Sequence, residues 1–461
     1  MMALAFRRFH FGAWLALCLV VLATQPQAAR AEDRIEDRIE ATAVALRERA
    51  LGDDTAFNIV SSLTTEVGAR PAGSPADARA VAWAVAKFKT LGYDKVYKEA
   101  VTFPVWRRVS ESASVTSPTP HRLAITALGG SVGSDGTIQA HVVQLRNTDE
   151  LQRATAASIK GKIVLLTQRM ERRTDGSGYF DVLSMRTNAA SIAARKGAVA
   201  VLIRSLGTDD NRLPHTGSVV YDDGAAIPAA ALSGPDTDLL ERLLATDRAV
   251  EVKLDIAVDT SATYTSHNVI GEITGRGEHP GIVMLGAHLD SWDLGTGAVD
   301  DGFGVAVTMA AGALMKALQA EPSHTVRVVL FANEENGFHG AKHYAARNIT
   351  DLRNHRIAVE SDWGAGRIYA LRHFSPTPAL AEAMRRVLGP LGVALDGQAG
   401  NPGPDVGFVA KQNVPWSQLA QDASSLFDHH HSDNDTLDKI DPEALKQNVA
   451  AYAAFAWLMA N

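Results

Sequence analysis

Short apolar, β-branched runs recur through the C-terminal half of the chain, and each ends in a polar tip before a helical pattern begins. Within Gly281–Gly304 (GIVMLGAHLDSWDLGTGAVDDGFG), the run Ile282–Leu285 leads to His288 and Asp290. A glycine-rich loop carrying Asp300 and Asp301 follows, then an alanine-rich helical stretch to Gln319. Thr325–Ala332 (TVRVVLFA) repeats the pattern and ends in Asn333-Glu334-Glu335-Asn336-Gly337. Arg356–Val359 leads similarly into Glu360-Ser361-Asp362. Apolar runs without alternation read as strands buried on both faces. Strand, tip and helix in repetition predict an α/β fold, a mostly parallel sheet flanked by helices. Ligands of such sheets sit beyond the carboxyl ends of the strands, where these tips fall. SHNVIGEITG, starting at Ser266, reads as a further strand pairing with Gly281–Ala287 across an Arg276-Gly277 turn. Asp441-Pro442 is an N-cap and first-turn proline opening a closing helix to about Leu458.

Upstream, the texture differs. Gly68–Asp77 (GARPAGSPAD) is a Gly/Pro loop before a helical stretch, Ala78–Leu91, which Gly92 is placed to cap. Val96–Val105 alternates as a strand. Residues 120–257, rich in Ala, Gly, Val and Thr, contain IKGKIVLLTQR, the helix-like NAASIAARKGA, then VAVLIR and IPAAALS. They read as a small β/α insert that splits a main domain into residues 32–119 and 258–461.

Residues 1–31 read as a cleaved secretory signal: Arg7, Arg8 and His10, the apolar run Phe11–Ala23, and Ala29-Arg30-Ala31. The apolar run is too short to cross a bilayer. The expectation is a periplasmic or secreted protein, cut after Ala31 and free of the membrane thereafter. Cleavage removes Cys18, the only cysteine, and with it any disulfide or thiol nucleophile. The net charge of −7 becomes more acidic when the leader arginines go, and no basic patch points to nucleic acid.

The tips therefore carry the chemistry. His288/Asp290, Asp300, Glu334/Glu335, Asp362 and His431 bring imidazole and carboxylate together, which suits zinc or a similar divalent ion. Asp290 lies two residues from His288, so on a strand both side chains share a face. That spacing predicts that Asp290 accepts the second imidazole N–H of His288. Adjacent Glu334 and Glu335 must diverge at a strand end, one toward a metal and one serving as a base. Singly, such residues are usually solvated or structural; jointly they define a candidate site.

The segments HLDSWDLGTGAVDDG, NEENG, ESDWG and HHSDNDT resemble the co-catalytic zinc exopeptidases, the group of secreted bacterial leucine aminopeptidases. The likeness is strongest to the plasma glutamate carboxypeptidase branch, the carboxypeptidase Q-like dipeptidases, and spans about residues 42–461. The insert resembles a protease-associated domain. The resemblance implies two zinc or similar divalent ions, one held by His288 and Asp362, the other by Glu335 and His431, with Asp300 bridging. Glu334 would be the general base. In the histidine run the family's ligand stands four residues before the Asp of a D-T pair, which selects His431, four before Asp435. His429 and His430 would support it. Related aminopeptidases place a carbonyl-polarising tyrosine just before that ligand; here the position is His430. The resemblance further implies a cis peptide at Asp300–Asp301 and a substrate-side loop at Gly400–Phe408. Partners would be short peptide substrates and, as an open assembly, a second copy of the chain. Aminopeptidase, dipeptidase and carboxypeptidase modes stay open.

Two other hydrolase patterns fail on context. Gly129-Gly130-Ser131-Val132-Gly133 fits G-x-S-x-G, but a turn and a strand follow it where a nucleophile elbow needs a helix. His339 and His343 are four apart, but Gly340 stands where H-E-x-x-H needs glutamate. The alternative from another class is an inactive peptide-binding or receptor-like protein on the same fold. The full set of ligand and base residues argues against it.

Overall fold

In the computed structural model, residues 36–222, 226–278, 280–347 and 349–461 are described. The leader expected over residues 1–31 lies outside them. Among the described residues, the central sheet runs Lys95–Pro104, Thr263–Ile273, Thr325–Phe331, Ile282–His288, His355–Glu360 across its width. Ile282–His288 is parallel to both of its neighbours. It is buried at every position, as is Thr325–Phe331, which explains their unbroken apolar character. Successive side chains divide between two cores. Val283, Leu285, Val328 and Leu330 face the helices Phe303–Ala317 and Pro442–Met459. Met284, Val329 and Phe331 pack with Tyr344, Val406 and Val409 on the other face.

Thr263–Ile273 is antiparallel to both of its neighbours, Lys95–Pro104 and Thr325–Phe331. Thr263–Ile273 pairs with Thr325–Phe331, with Val269 opposite Leu330, and not with Ile282–His288 as the sequence predicts. Both edges of Ile282–His288 are taken by parallel neighbours, so none remains for a hairpin. The Arg276 and Gly277 amides donate instead to Pro322 O and Ser323 O.

Helix ends follow their local chemistry. Ser74 caps Pro75–Thr90 by accepting from Ala76 N and Asp77 N, and Asp441 caps Pro442–Met459 by accepting from Glu443 N. The stretch Ala298–Ala317 is long and apolar enough to cross a membrane, but it is 94% buried and lies in the core.

The second sheet of the described residues has eight strands. Its order is His121–Leu123, Arg107–Ser117, Glu251–Asp259, Ile138–Leu145, Ile163–Leu166, Ala200–Arg204, Ala229–Leu232, Ile125–Ala127. It has its own apolar core around Leu165, Leu202, Leu232 and Leu254. It begins at Arg107, upstream of residue 120, because Arg107–Ser117 pairs along Glu251–Asp259. The helix Gly178–Thr187 carries this unit's Tyr179, Phe180 and Arg186 to the cavity described next.

Candidate active site

Parallel pairing in register places His288 opposite Phe331 and Gly286 opposite Glu360. The tips after all three strands therefore emerge at one edge of the sheet. The loop from His288 to Asp300 is held from behind. Arg70, 0% exposed, donates to Leu289 O at 2.6 Å and to Thr296 O and Gly297 O at 2.9 Å. Its own amide donates to Ser291 Oγ at 3.0 Å. The amides of Val299 and Asp300 donate to Asp435 at 2.6 and 3.1 Å, which aims the Asp300 side chain. Asp301 accepts from His288 N and Gly304 N, both at 3.0 Å. The Asp300–Asp301 peptide is cis, as expected.

Asp300 stands between two clusters. Its Oδ1 is 3.0 Å from His288 Nε2, which also lies 3.5 Å from Asp362 Oδ1. Its Oδ2 is 3.1 Å from His431 Nε2, which lies 3.0 Å from Glu335 Oε2. His430 stacks on His431 with ring centroids 3.5 Å apart, and its Nε2 is 3.5 Å from Asp300 Oδ2. All eight residues singled out in the sequence meet here.

The role expected of Asp290 is corrected. His288 Nδ1 donates to the Asp290 main-chain carbonyl at 3.1 Å, whereas the nearest carboxylate oxygen is 3.8 Å away. The strand has ended at His288, so the same-face argument stops short of Asp290, and its carbonyl turns back toward the ring. The carboxylate instead accepts the Glu334 amide at 3.0 Å.

Charge follows from burial and crowding. Burial raises the Glu334 carboxyl well above the usual range; His288 opposes this, and Glu335, Asp362 and Asp405 add to it. Asp300 is held well below that range: burial works against ionisation, but His288 and His431 outweigh it. Burial opposes a charged His431, yet Glu335 and Asp300 push it up to about 9. His430 is held well below its ordinary value by burial and by His431 beside it.

These groups open into a cavity of about 540 Å³. Asn401 and Pro404, from the expected loop Gly400–Phe408, line it together with Tyr179, Arg186 and Val220 of the insert. Asp405 N and Val406 N fasten that loop to Glu360 at 3.1 and 2.8 Å. Ser131 is not a nucleophile: it is 0% exposed, and its Oγ donates to Val132 O and accepts from Ala229 N. His339 Nδ1 meets Asn333 Nδ2 at 3.1 Å and takes no part in the clusters.

A sequence profile described as peptidase family M28 matches residues 268–456, which contain all eight residues. Carboxypeptidase Q of Mus musculus is 32% identical over 403 residues, covering 87% of this chain and 84% of the relative. The chain belongs to peptidase family M28. Membership makes it an enzyme of the metallo-exopeptidase class. The crystal structure of a peptidase M28 precursor from Shewanella amazonensis SB2B superposes with a TM-score of 0.90 at 47% identity, covering 92% of this chain and 97% of that one. A zinc aminopeptidase from Bacillus subtilis shares the fold, with a TM-score of 0.65 at 21% identity, covering 87% of this chain and 94% of its own.

Within this M28 chain, sequence reasoning missed Arg70, Asp435 and the insert residues Tyr179 and Arg186. Asp435 enters the sequence reading only as a spacing marker for His431. A lone arginine in the Gly/Pro loop GARPAGS was the available signal for Arg70.

Proposed function

We propose that this M28 chain is an exported exopeptidase that cleaves short peptides with a metal-activated water and Glu334 as general base. The observation that carries this reading is Asp300, whose two oxygens reach His288 and His431, each beside a further carboxylate. The donor set fits two divalent ions. His288 Nδ1 donates to Asp290 O, and His431 Nδ1 is 3.3 Å from Thr216 O. Each ring then presents the Nε2 lone pair to carboxylate oxygens, an arrangement that calls for a cation between them. Glu335 Oε1 is buried without a hydrogen-bond partner, so its lone pairs are free to meet a cation. His288, Asp362 and Asp300 would hold one ion, and His431, Glu335 and Asp300 the other. Zinc is the assigned metal, supported by the zinc aminopeptidase of the same fold.

Bound there, the ions would polarise the scissile carbonyl and lower the pKa of an attacking water. Glu334 takes the proton from that water and returns it to the leaving amine. Asp290 fixes the backbone from which Glu334 acts. His430, kept neutral, offers an N–H to the oxygen that gains charge. Tyr179, Arg186 and Val220 of the insert form one wall of the cavity. Export is supported by the signal pattern over residues 1–31.

Elemental analysis of the holoprotein tests the metal assignment. Two ions per chain are expected, with Asp300→Ala losing metal and activity together. One ion, with Asp300→Ala fully active, would sink the assignment. Incubation with dipeptides, longer peptides and N-blocked peptides tests the exopeptidase mode. Cleavage of free dipeptides and resistance of N-blocked ones is expected.

A further inference from the structure

His431 has a left-handed backbone, with φ +60°. For a residue with a side chain that conformation is strained, and it persists where the surroundings over-determine it. Here those surroundings belong to the insert. His215 Nδ1 donates to His430 O at 2.6 Å, and the Thr216 amide donates to His431 O at 2.9 Å. Among the described residues these two carbonyls have no other donor. Thr216 O faces His431 Nδ1 at 3.3 Å, so one residue grips both the backbone and the ring. Two residues on, Ser218 Oγ donates to Glu335 O. The segment His215–Ser218 thus touches both residues that share the second proposed ion with Asp300. Nothing comparable reaches the first cluster. His288 is held from the main domain, its amide by Asp301 and its Nδ1 by Asp290 O, and among the described residues no hydrogen bond joins it or Asp362 to the insert.

His215 is itself rigidly mounted. It is 2% exposed, and its Nε2 lies 2.9 Å from Asp209 Oδ1. Its amide donates to Ser205 Oγ at 2.8 Å. Ser205 donates in turn to Leu232 O, from Oγ at 2.7 Å and from its amide at 2.9 Å. Leu232 ends a strand that is paired on both edges, so the ring of His215 rests on the insert's own sheet. A Cβ at Gly207 would lie 2.7 Å from Nε2, and glycine leaves the space the ring needs. The histidine run is fastened to the insert a few residues earlier as well. Arg172 meets the two oxygens of Asp428 at 2.6 and 2.8 Å, and Thr208 N donates to Phe427 O at 3.0 Å. A two-pronged arginine–carboxylate pair fixes direction as well as distance.

We propose that the insert is a structural part of the second ion's site, with His215 as a positioning residue that, together with Thr216 and Ser218, holds His431 and Glu335 in place for that ion alone. This rests on the two-ion reading proposed above. His215 and Thr216 keep His431 in its left-handed turn, with Nε2 aimed at Glu335 Oε2 and Asp300 Oδ2. Without the His215 donor, His430 O loses its partner and the strained residue beside it is free to relax, carrying its ring off the line to the ion. Contacts that orient a ligand typically change metal affinity by roughly 10–100-fold. Because they fall on one cluster, the two ions respond separately.

The test draws zinc from the holoprotein with a chelator and counts the ions that remain at each free zinc concentration. Wild type should hold two. His215→Phe fills the space without a donor, and one ion should leave at roughly 10–100-fold higher free zinc while the other keeps its wild-type affinity. His215→Gln, whose amide can still donate to His430 O, should recover part of the loss. Ser218→Ala and Asp209→Ala should each weaken the same ion by about tenfold. Combining variants shows which ion it is. His215→Phe with Asp362→Asn should release both ions readily, whereas His215→Phe with Glu335→Gln should keep one at full affinity. Equal weakening of both ions in His215→Phe, the mark of a general loosening, would overturn the proposal. So would unchanged affinities. Should His215→Phe not fold, Ser218→Ala and Asp209→Ala decide by the same rule. A wild type that holds fewer than two ions would instead reject the two-ion reading itself, and this proposal with it.

Discussion

The carboxylate of Asp290 accepts the backbone N–H of Glu334 at 3.0 Å, while the Asp290 carbonyl accepts His288 Nδ1 at 3.1 Å. One residue thus orients a proposed ligand through its main chain and the proposed base through its side chain. Asp290→Ala keeps the first contact and loses the second. The expected result is a fall in kcat of roughly 10–100-fold, the usual scale for a supporting contact, with metal content intact. Asp290→Asn, which still has an oxygen to accept with, should fall less. Loss of metal before loss of kcat would show that the carboxylate serves His288 after all.

The adjacent glutamates should fail differently. Both glutamates line the cavity, and among the described residues it is Glu335 whose Oε2 lies 3.0 Å from His431 Nε2. Glu334→Gln should retain both ions while kcat falls by roughly 10²–10⁴, the contribution of a positioned acid–base group. Glu335→Gln should weaken one ion, and added zinc should partly restore its rate. Metal content and kcat for both variants decide the matter. If Glu334→Gln sheds metal while Glu335→Gln stays loaded and active, the two roles are reversed.

Three of the proposed ligands, His288, Glu335 and Asp362, were legible because each sits at the tip of a strand that the sequence announces. TVRVVLFA and GIVMLGA are buried on both faces, so they read as continuous apolar runs whose ends are unmistakable. The strand partner of Thr263–Ile273 was not legible: its pattern says strand but does not say which edge it will find. Arg70 was hidden because it acts on carbonyls, which no sequence pattern marks, more than 200 residues away in the chain. Tyr179 and Arg186 sit in a helix, GYFDVLSMRT, that looks like any packing helix. Only the insert's placement over the sheet edge gives them a cavity to face.

Arg70 should matter to stability more than to chemistry. Its guanidinium satisfies three main-chain carbonyls in the loop between His288 and Asp300. Arg70→Met keeps the chain volume but strips those acceptors of their donors. A loss on the order of 3–5 kcal/mol is expected, with the denaturant midpoint falling. A shift of less than about 1 kcal/mol would show that the loop holds itself without Arg70.

Acid sensitivity should have a contribution remote from the site. His355 is 5% exposed. Its Nδ1 donates to Asp351 O at 3.2 Å and its Nε2 accepts from Tyr344 Oη at 3.1 Å, which makes it a neutral tautomer. Burial, helped by Arg327, pushes its pKa down to about 4. In the unfolded chain it returns to about 6.5. Between those values the unfolded state binds the extra proton, so stability rises with pH across that window. The contribution is fully present above about pH 6.5 and is lost as pH falls toward 4, on the order of 3 kcal/mol at most. His355→Gln removes the titrating group and should flatten this part of the curve. Denaturant midpoints of wild type and variant at pH 7.5, 6, 5 and 4.5 read the difference directly. Wild type should lose its advantage progressively on acidification. Parallel curves would mean that His355 is protonated in the folded protein and that its contacts with Tyr344 and Asp351 have been misassigned.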